Sequence, residues 1–252
     1  MVNHEFPVPI IEVRHLTKQF KGLRAVSDVS FAIEKGKISG MIGPNGAGKT
    51  TIFNMVCGFY PPTSGNVFYK GNDITKKRAY QYTDMGIART FQIMKPLANL
   101  SVLDNVIASA YFGRHRAKNI RQAQETALET LQFTGLYEKR GMLAKDMGTP
   151  SQKRLEMARA LATKPDMIFL DEVMAGLNPT ETDEAIELIF KVRDSGITVF
   201  MIEHIMRAVV SLCTKIIVLH HGEKIAEGTP EQVMNDAYVI EVYLGKENRD
   251  NA

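Results

Sequence analysis

The feature that most narrows the fold is an apolar run, Ile38-Ser39-Gly40-Met41-Ile42, leading straight into Gly43-Pro44-Asn45-Gly46-Ala47-Gly48-Lys49-Thr50. Such a run reads as a buried strand, and the residues from about Gly48 to Gly58 read as a helix. The eight residues Gly43 to Thr50 fit GxxxxGK[ST] in the strand–loop–helix context that this pattern requires. Glycines let the backbone wrap closely, so that successive N–H groups and the helix N-terminus face an anion. Lys49 adds a point charge for β- and γ-phosphates, and Thr50 a hydroxyl for Mg²⁺. The implied ligand is a nucleoside triphosphate with its metal.

The rest of the chain is an α/β pattern around this loop. From Ile10 to Ile42 apolar and polar residues alternate between turns at Lys21-Gly22 and Lys35-Gly36, which predicts an N-terminal antiparallel β subdomain. Another hairpin follows PPTSG, and GIARTFQ reads as a strand that finishes near Gln92. Strand patterns then vanish between about Ile93 and Thr163, where helices centre near Val106, Leu128 and Met157. DMIFLDE and ITVFMIEH are two further buried strands, with a helix between them and a hairpin, KIIVLHHGEKIAEG, beyond. Strands alternating with helices predict a mostly parallel sheet. The expected division is a nucleotide-binding core from 1–92 and 163–252, a helical subdomain at 93–162, and a polar tail at 246–252.

Composition excludes more than it identifies. A net charge of +3, from 31 basic and 28 acidic side chains, does not advertise nucleic-acid binding. The most basic run, Arg114, His115, Arg116, Lys118 and Arg121, reads as a solvated face or as an anionic-surface contact. No secretory signal and no window of about 18 apolar residues is visible, so any membrane role is expected to be peripheral. Cys57 and Cys213 lack metal-ligand spacing and read as buried free thiols.

Asp171 ends the strand MIFLD, where open parallel sheets hold ligands, and is the natural second anchor for Mg²⁺. Glu172 beside it could polarise a water; paired acids at a strand end can also be solvated caps. His204 ends a third apolar strand and reads as a site residue or as a satisfied structural histidine. His4, His15, His115, His220 and His221 carry no assigned role.

The phosphate loop, the RTFQ ending in Gln92, the LDE at 170–172 and the strand before His204 stand in the order and spacing of an ATP-binding-cassette ATPase. The resemblance runs from Val13 to about Gly245. In GLRAVSDVSF, MIGPNGAGKTTIFNMVCGFYPPTSG, RLEMARALAT, AGLNPTE and IAEGTPEQVMND the chain resembles the ATPase subunit of a bacterial branched-chain amino-acid importer. The resemblance implies a phosphate-loop NTPase core with an inserted helical subdomain. It implies adenine stacking on Phe20, a second phosphate hydroxyl at Thr51, and a Gln92 that links Mg²⁺ and the attacking water to the transporter interface. It further implies ATP as substrate, permease subunits, a second cassette or a second copy of this chain, and indirectly a periplasmic binding protein. The place would be the cytoplasmic face of the inner membrane. Ile93 to Leu97 is the expected docking surface or else ordinary subdomain packing, and Ala175-Gly176-Leu177-Asn178 falls on the loop that crosses a dimer seam. Asn178 with Pro179 and Glu181 also satisfies a helix capping box.

One motif departs from the family. Its serine- and glycine-containing signature falls on Met147-Gly148-Thr149-Pro150-Ser151, where Gly148 has no hydroxyl and Pro150 no N–H. Thr149-Pro150-Ser151-Gln152 has capping-box spacing instead, which predicts a helix capped by Thr149 with Leu155, Ala158 and Ala162 on its apolar face. Val173 stands where the family usually has proline. Two readings follow: an ATPase working in an asymmetric cassette pair, or a nucleotide-binding regulatory module that dimerises on ATP with little hydrolysis.

Overall fold

The structure, a computed structural model, describes residues 9–90 and 96–247, and the side chains as far as 242. Gln92, Ile93, Met94 and Lys95 lie outside the described residues, as does the end of the polar tail from 248. In chain order the elements are β1 (Ile11–Phe20), β2 (Leu23–Ile33), β3 (Ile38–Ile42), α1 (Lys49–Val56), β4 (Ser64–Tyr69), β5 (Asn72–Asp73), α2 (Ala79–Met85) and β6 (Ile87–Arg89). There follow α3 (Val102–Tyr111), α4 (Ile120–Phe133), α5 (Thr149–Ala162), β7 (Met167–Asp171) and α6 (Pro179–Asp194). The chain ends with β8 (Thr198–Ile202), α7 (Met206–Leu212), β9 (Lys215–His220), β10 (Glu223–Gly228), α8 (Pro230–Met234) and α9 (Ala237–Glu247). It parts into two compact units, Met1–Ala79 with Phe200–Ala252, and Tyr80–Val199.

In the first unit, β2-β1-β4-β5 form an antiparallel sheet. Ile11 opposes Ile33 and Tyr69, while Val13 opposes Phe31 and Val67. Directly opposed residues share a face, so these six buried side chains line one side of the sheet. α1 packs against β1 and β2. β3 pairs parallel with β9, and β9 antiparallel with β10. Every residue of β3 is buried, which is why it reads as a continuous apolar run and not an alternation. Phe53 of α1 and Phe31 of β2 both meet the Phe200 ring, at centroid separations of 5.2 and 5.7 Å.

In the second unit, β6 pairs parallel with the fully buried β7. α3, α4 and α5 pack on one another through residues spaced by three or four: Val102, Val106 and Ala110; Ala123, Ala127 and Leu131; Leu155, Ala158 and Ala162. Alanines at the crossings let the helix axes approach closely, which suits a small helical bundle. Ser101 caps α3 by accepting from the Asp104 N–H, and Asn119 caps α4 by accepting from Gln122.

The start of α5 differs from expectation. The Gln152 N–H donates to the Gly148 carbonyl at 3.0 Å, so Gly148 is the N-cap and Thr149 already lies inside the helix. The Gln152 side chain donates to the Met147 carbonyl at 3.0 Å in place of reaching a threonine cap. No side chain caps this helix.

Candidate nucleotide site

The phosphate loop is shaped by its neighbours in the first unit. Gly43 has φ 154°, and a Cβ there would stand 2.3 Å from the Leu219 carbonyl oxygen. Gly48, the N-cap of α1, has φ 98°, and its Cβ would stand 2.8 Å from the Ala25 oxygen. Neither position tolerates a side chain. The loop is pinned from the β9–β10 turn, where the Gly222 N–H donates to the Ala47 carbonyl at 3.0 Å and the Gly222 carbonyl accepts from Ser27 at 2.8 Å.

Because Gly48 brings no capping side chain, the first-turn amides of α1 are left for an anion, and Thr50 presents its side chain on the exposed surface there. Lys49 is buried, and its Nζ donates to the carbonyls of Gly43 at 2.5 Å and Pro44 at 3.0 Å. Its ammonium is thus held over the loop's own backbone. Phe20 is 43% exposed and meets the Tyr60 ring edge-on at 5.7 Å. Lys18 Nζ lies 5.1 Å from each ring centroid and donates to the Pro61 carbonyl at 2.6 Å. Tyr60 and Lys18 escaped the sequence reading; only their position near an aromatic strand end could have drawn attention to them. His204 follows the end of β8 and is exposed, while Glu203 beside it is buried.

The second unit carries the carboxylates. Asp171 ends β7, is 3% exposed, and accepts from Arg89 Nη2 of β6 at 2.8 Å. Its N–H donates to Thr90 Oγ1 at 3.3 Å. Glu172 is half-buried at φ 48°, a left-handed conformation that turns the chain sharply out of the strand. The following loop is held by Ala175 N–H to Glu172 O and Leu177 N–H to Met174 O, each 3.2 Å. Lys153 Nζ of α5 donates to the Glu172 carbonyl at 3.2 Å and the Ala175 carbonyl at 2.6 Å. Asn178 is a realised capping box, accepting from the Glu181 N–H and donating its own N–H to Glu181 Oε2, both at 2.9 Å.

At the altered signature, Met147 is buried and Gly148 and Thr149 are exposed. Ser151 Oγ accepts from Lys139 Nζ at 2.7 Å. Of the basic run, Arg114 is engaged with Asp166 at 2.6 Å and Arg121 with Glu125 at 3.2 Å, which favours the solvated-face reading. Neither cysteine forms a disulfide, and both are buried. Among the described residues no helix is long and apolar enough to cross a membrane.

The family model described as ABC transporter matches residues 26–175, which span the phosphate loop, the carboxylate pair and the altered signature. The chain belongs to the ABC transporter family. A second model, described as branched-chain amino acid ATP-binding cassette transporter, matches residues 223–248. The cassette is similar to the high-affinity branched-chain amino acid transport ATP-binding protein BraF of Pseudomonas aeruginosa, 38% identical over 94% of this chain and 98% of that one. To its LivG counterpart in Escherichia coli it is 37% identical, with the same coverage. Among solved structures, the ADP conformation of an ATP-binding cassette of an ABC transporter superposes with a TM-score of 0.85 at 30% identity, covering 94% of this chain and 99% of that one. The cassette fold expected from the sequence is therefore established, with its antiparallel N-terminal sheet and parallel strand pairs.

Proposed function

We propose that this cassette is the ATP-hydrolysing subunit of a branched-chain amino-acid importer, working at the cytoplasmic face of the inner membrane against permease subunits. The observation that carries the reading is the phosphate loop: two positive-φ glycines with no room for a Cβ, an uncapped helix start and a buried Lys49 over the loop. Those residues fit a triphosphate, whose negative charge the loop amides and Lys49 stabilise. Thr50 and Asp171 would hold Mg²⁺, with Gln92 as a further ligand; the ion supplies charge neutralisation at the phosphates. Thr51 adds a second hydroxyl, and Phe20 the face for adenine.

Glu172 orients a water and takes its proton as the water oxygen bonds the γ-phosphorus. The bond from that phosphorus to the β–γ bridging oxygen breaks, leaving ADP and phosphate. His204 steadies the γ-phosphate. The domain division into a nucleotide core and a helical subdomain at 93–162 belongs to the same reading, as do a second cassette subunit and a periplasmic binding protein.

The alternative, a module that binds ATP and dimerises with little turnover, draws on one observation. The signature segment lacks the Gly148 hydroxyl and the Pro150 N–H, and its Ser151 hydroxyl is engaged by Lys139. Hydrogen bonds to a charged group contribute about 1.5–3 kcal/mol each, against about 0.3–1 kcal/mol for an exposed helix dipole. An asymmetric pair reconciles the two: this chain's loop and Glu172 act with the partner's signature, and its own signature serves a weaker second site.

Steady-state phosphate release decides among these readings, measured on the isolated chain and on the chain purified with its membrane partners. The expected result is turnover in the assembly that Glu172→Gln abolishes. Silence in both preparations favours the binding module. Equal loss from Glu172→Gln here and from the equivalent change in the second cassette refutes the asymmetry.

A further inference from the structure

Two departures from the family pattern meet at one place in the second unit. Pro150, in the altered signature, and Val173, after Glu172, line the same groove, together with Met157, Leu177, Ala185 and Leu188. The groove's rim carries Lys153, whose ammonium reaches the carbonyls of Glu172 (3.2 Å) and Ala175 (2.6 Å).

A lysine that donates to two carbonyls of one loop fixes the direction of the peptide planes between them. The Glu172 backbone sits at φ 48°, outside the region that a non-glycine residue prefers, so an external contact is needed to keep it there. A proline at 173 would bias residue 172 toward extended backbone, and valine leaves the left-handed conformation of Glu172 without that opposing bias. Lys153 supplies such a contact from α5, the helix that opens on the signature segment.

We infer that Lys153 is a positioning residue for Glu172: it holds the loop from 172 to 175 so that the carboxylate presents to water in one orientation, and it ties that orientation to the start of α5. The inference rests on the role given to Glu172 above. The contacts that carry it are to the backbone: Lys153 donates to two carbonyls of the loop, and a charge-assisted donor to a carbonyl is stronger than a neutral one.

The test is Lys153→Met and Lys153→Arg beside Glu172→Gln, in the full chain purified with its membrane partners. Misplacing a catalytic group by about 1 Å costs on the order of 100-fold, so Lys153→Met is expected to lower kcat by roughly 10- to 100-fold while KM for ATP stays within about 2-fold. Lys153→Arg, which retains a cationic donor, is expected to recover most of the rate. Hydrogen exchange of the Ala175 and Leu177 amides, both bonded within the loop, is expected to speed up in Lys153→Met without a matching change in β7. Lys153→Gln replaces Lys153→Met if the latter fails to fold.

A wild-type kcat in Lys153→Met, with Glu172→Gln inactive, overturns the positioning role and leaves the function of Glu172 standing. Wild-type exchange at Ala175 and Leu177 overturns the clamp itself. Turnover at the wild-type rate in Glu172→Gln overturns the role of Glu172 and the positioning claim with it. A loss of kcat that Lys153→Arg does not recover, with exchange raised throughout the second unit, reduces Lys153 to a stability residue and overturns the inference as well.

Discussion

Arg89→Met is the sharpest probe of how the carboxylate end of β7 is built. Arg89 and Asp171 have side chains 9% and 4% exposed and are joined at 2.8 Å. β6 pairs with β7 so that Arg89 stands opposite Phe169, and Asp171, two residues on, shares that face of the sheet. Removing the guanidinium takes from a buried carboxylate the cation that meets it at 2.8 Å, a change that costs about 3–5 kcal/mol. That is a large share of the roughly 5–15 kcal/mol that holds a domain folded, and it lowers the melting temperature by about 6–20 °C. Urea titration followed by circular dichroism measures the loss, and a cycle with Asp171→Asn isolates the pair. Asp171→Asn in the Arg89→Met background is expected to recover stability, because it removes the stranded charge. A loss below about 1 kcal/mol in Arg89→Met, or no recovery in the double variant, refutes the claim that this pair anchors Asp171.

Three further outcomes are expected. Asn178→Ala removes the capping box of α6 and costs about 0.5–2 kcal/mol in urea titration, whereas Asn178→Asp keeps the cap; no loss on Ala would separate Asn178 from the helix start. Burial, with the nearby Glu203 charge adding to it, pushes the Cys213 thiol up to about 12. The unfolded thiol ionises from about 9, so between those values the unfolded state binds fewer protons and stability falls as pH rises, by up to about 1.4 kcal/mol per unit. Cys213→Ala is expected to flatten that alkaline slope, and the native thiol to resist iodoacetamide at neutral pH. Gly222→Ala puts a Cβ 2.8 Å from the Ala25 oxygen at φ 83°, at a strain of about 1–2 kcal/mol. Since Gly222 pins Ala47, ATP affinity by calorimetry is expected to weaken along with stability, and unchanged affinity would disconnect this turn from the loop.

What was legible in the sequence is local or periodic. The phosphate loop was readable because its glycines, Lys49 and Thr50 are contiguous, and β3, β7 and β8 because strands buried on both faces are unbroken apolar runs. The helices α3, α4 and α5 showed themselves by apolar residues on one face. The asparagine cap of α6 was one of two readings of AGLN, and the hydrogen bonds decide for a cap being present. Long-range polar partnerships left no such trace. Arg89 meets Asp171 across 82 positions, and Lys153 meets Ala175 across 22, with nothing periodic to connect them. Short elements also escaped notice: α2, with only Tyr82 buried, has too little apolar face to register as a pattern. The threonine cap at 149 failed because spacing alone cannot tell which carbonyl accepts the first helical bond, and here it is that of Gly148.

The altered signature makes physical sense when taken together with the loop after Glu172. A glycine-rich turn at 147–151 would offer backbone donors but little side-chain surface. Pro150 exchanges a donor for a ring that lines the same groove as Val173 and Leu177, and Val173 adds side-chain bulk where a family proline would add backbone stiffness. To the bonds that Ala175 and Leu177 make within the loop, Lys153 adds a hold from outside it, one turn along the same helix as Pro150. The departures at 150 and 173 thus line one groove, which Lys153 also lines. Pro150→Gly would regain an N–H at the signature and at the same time take a ring out of the wall of that groove, so that a gained donor is set against lost packing.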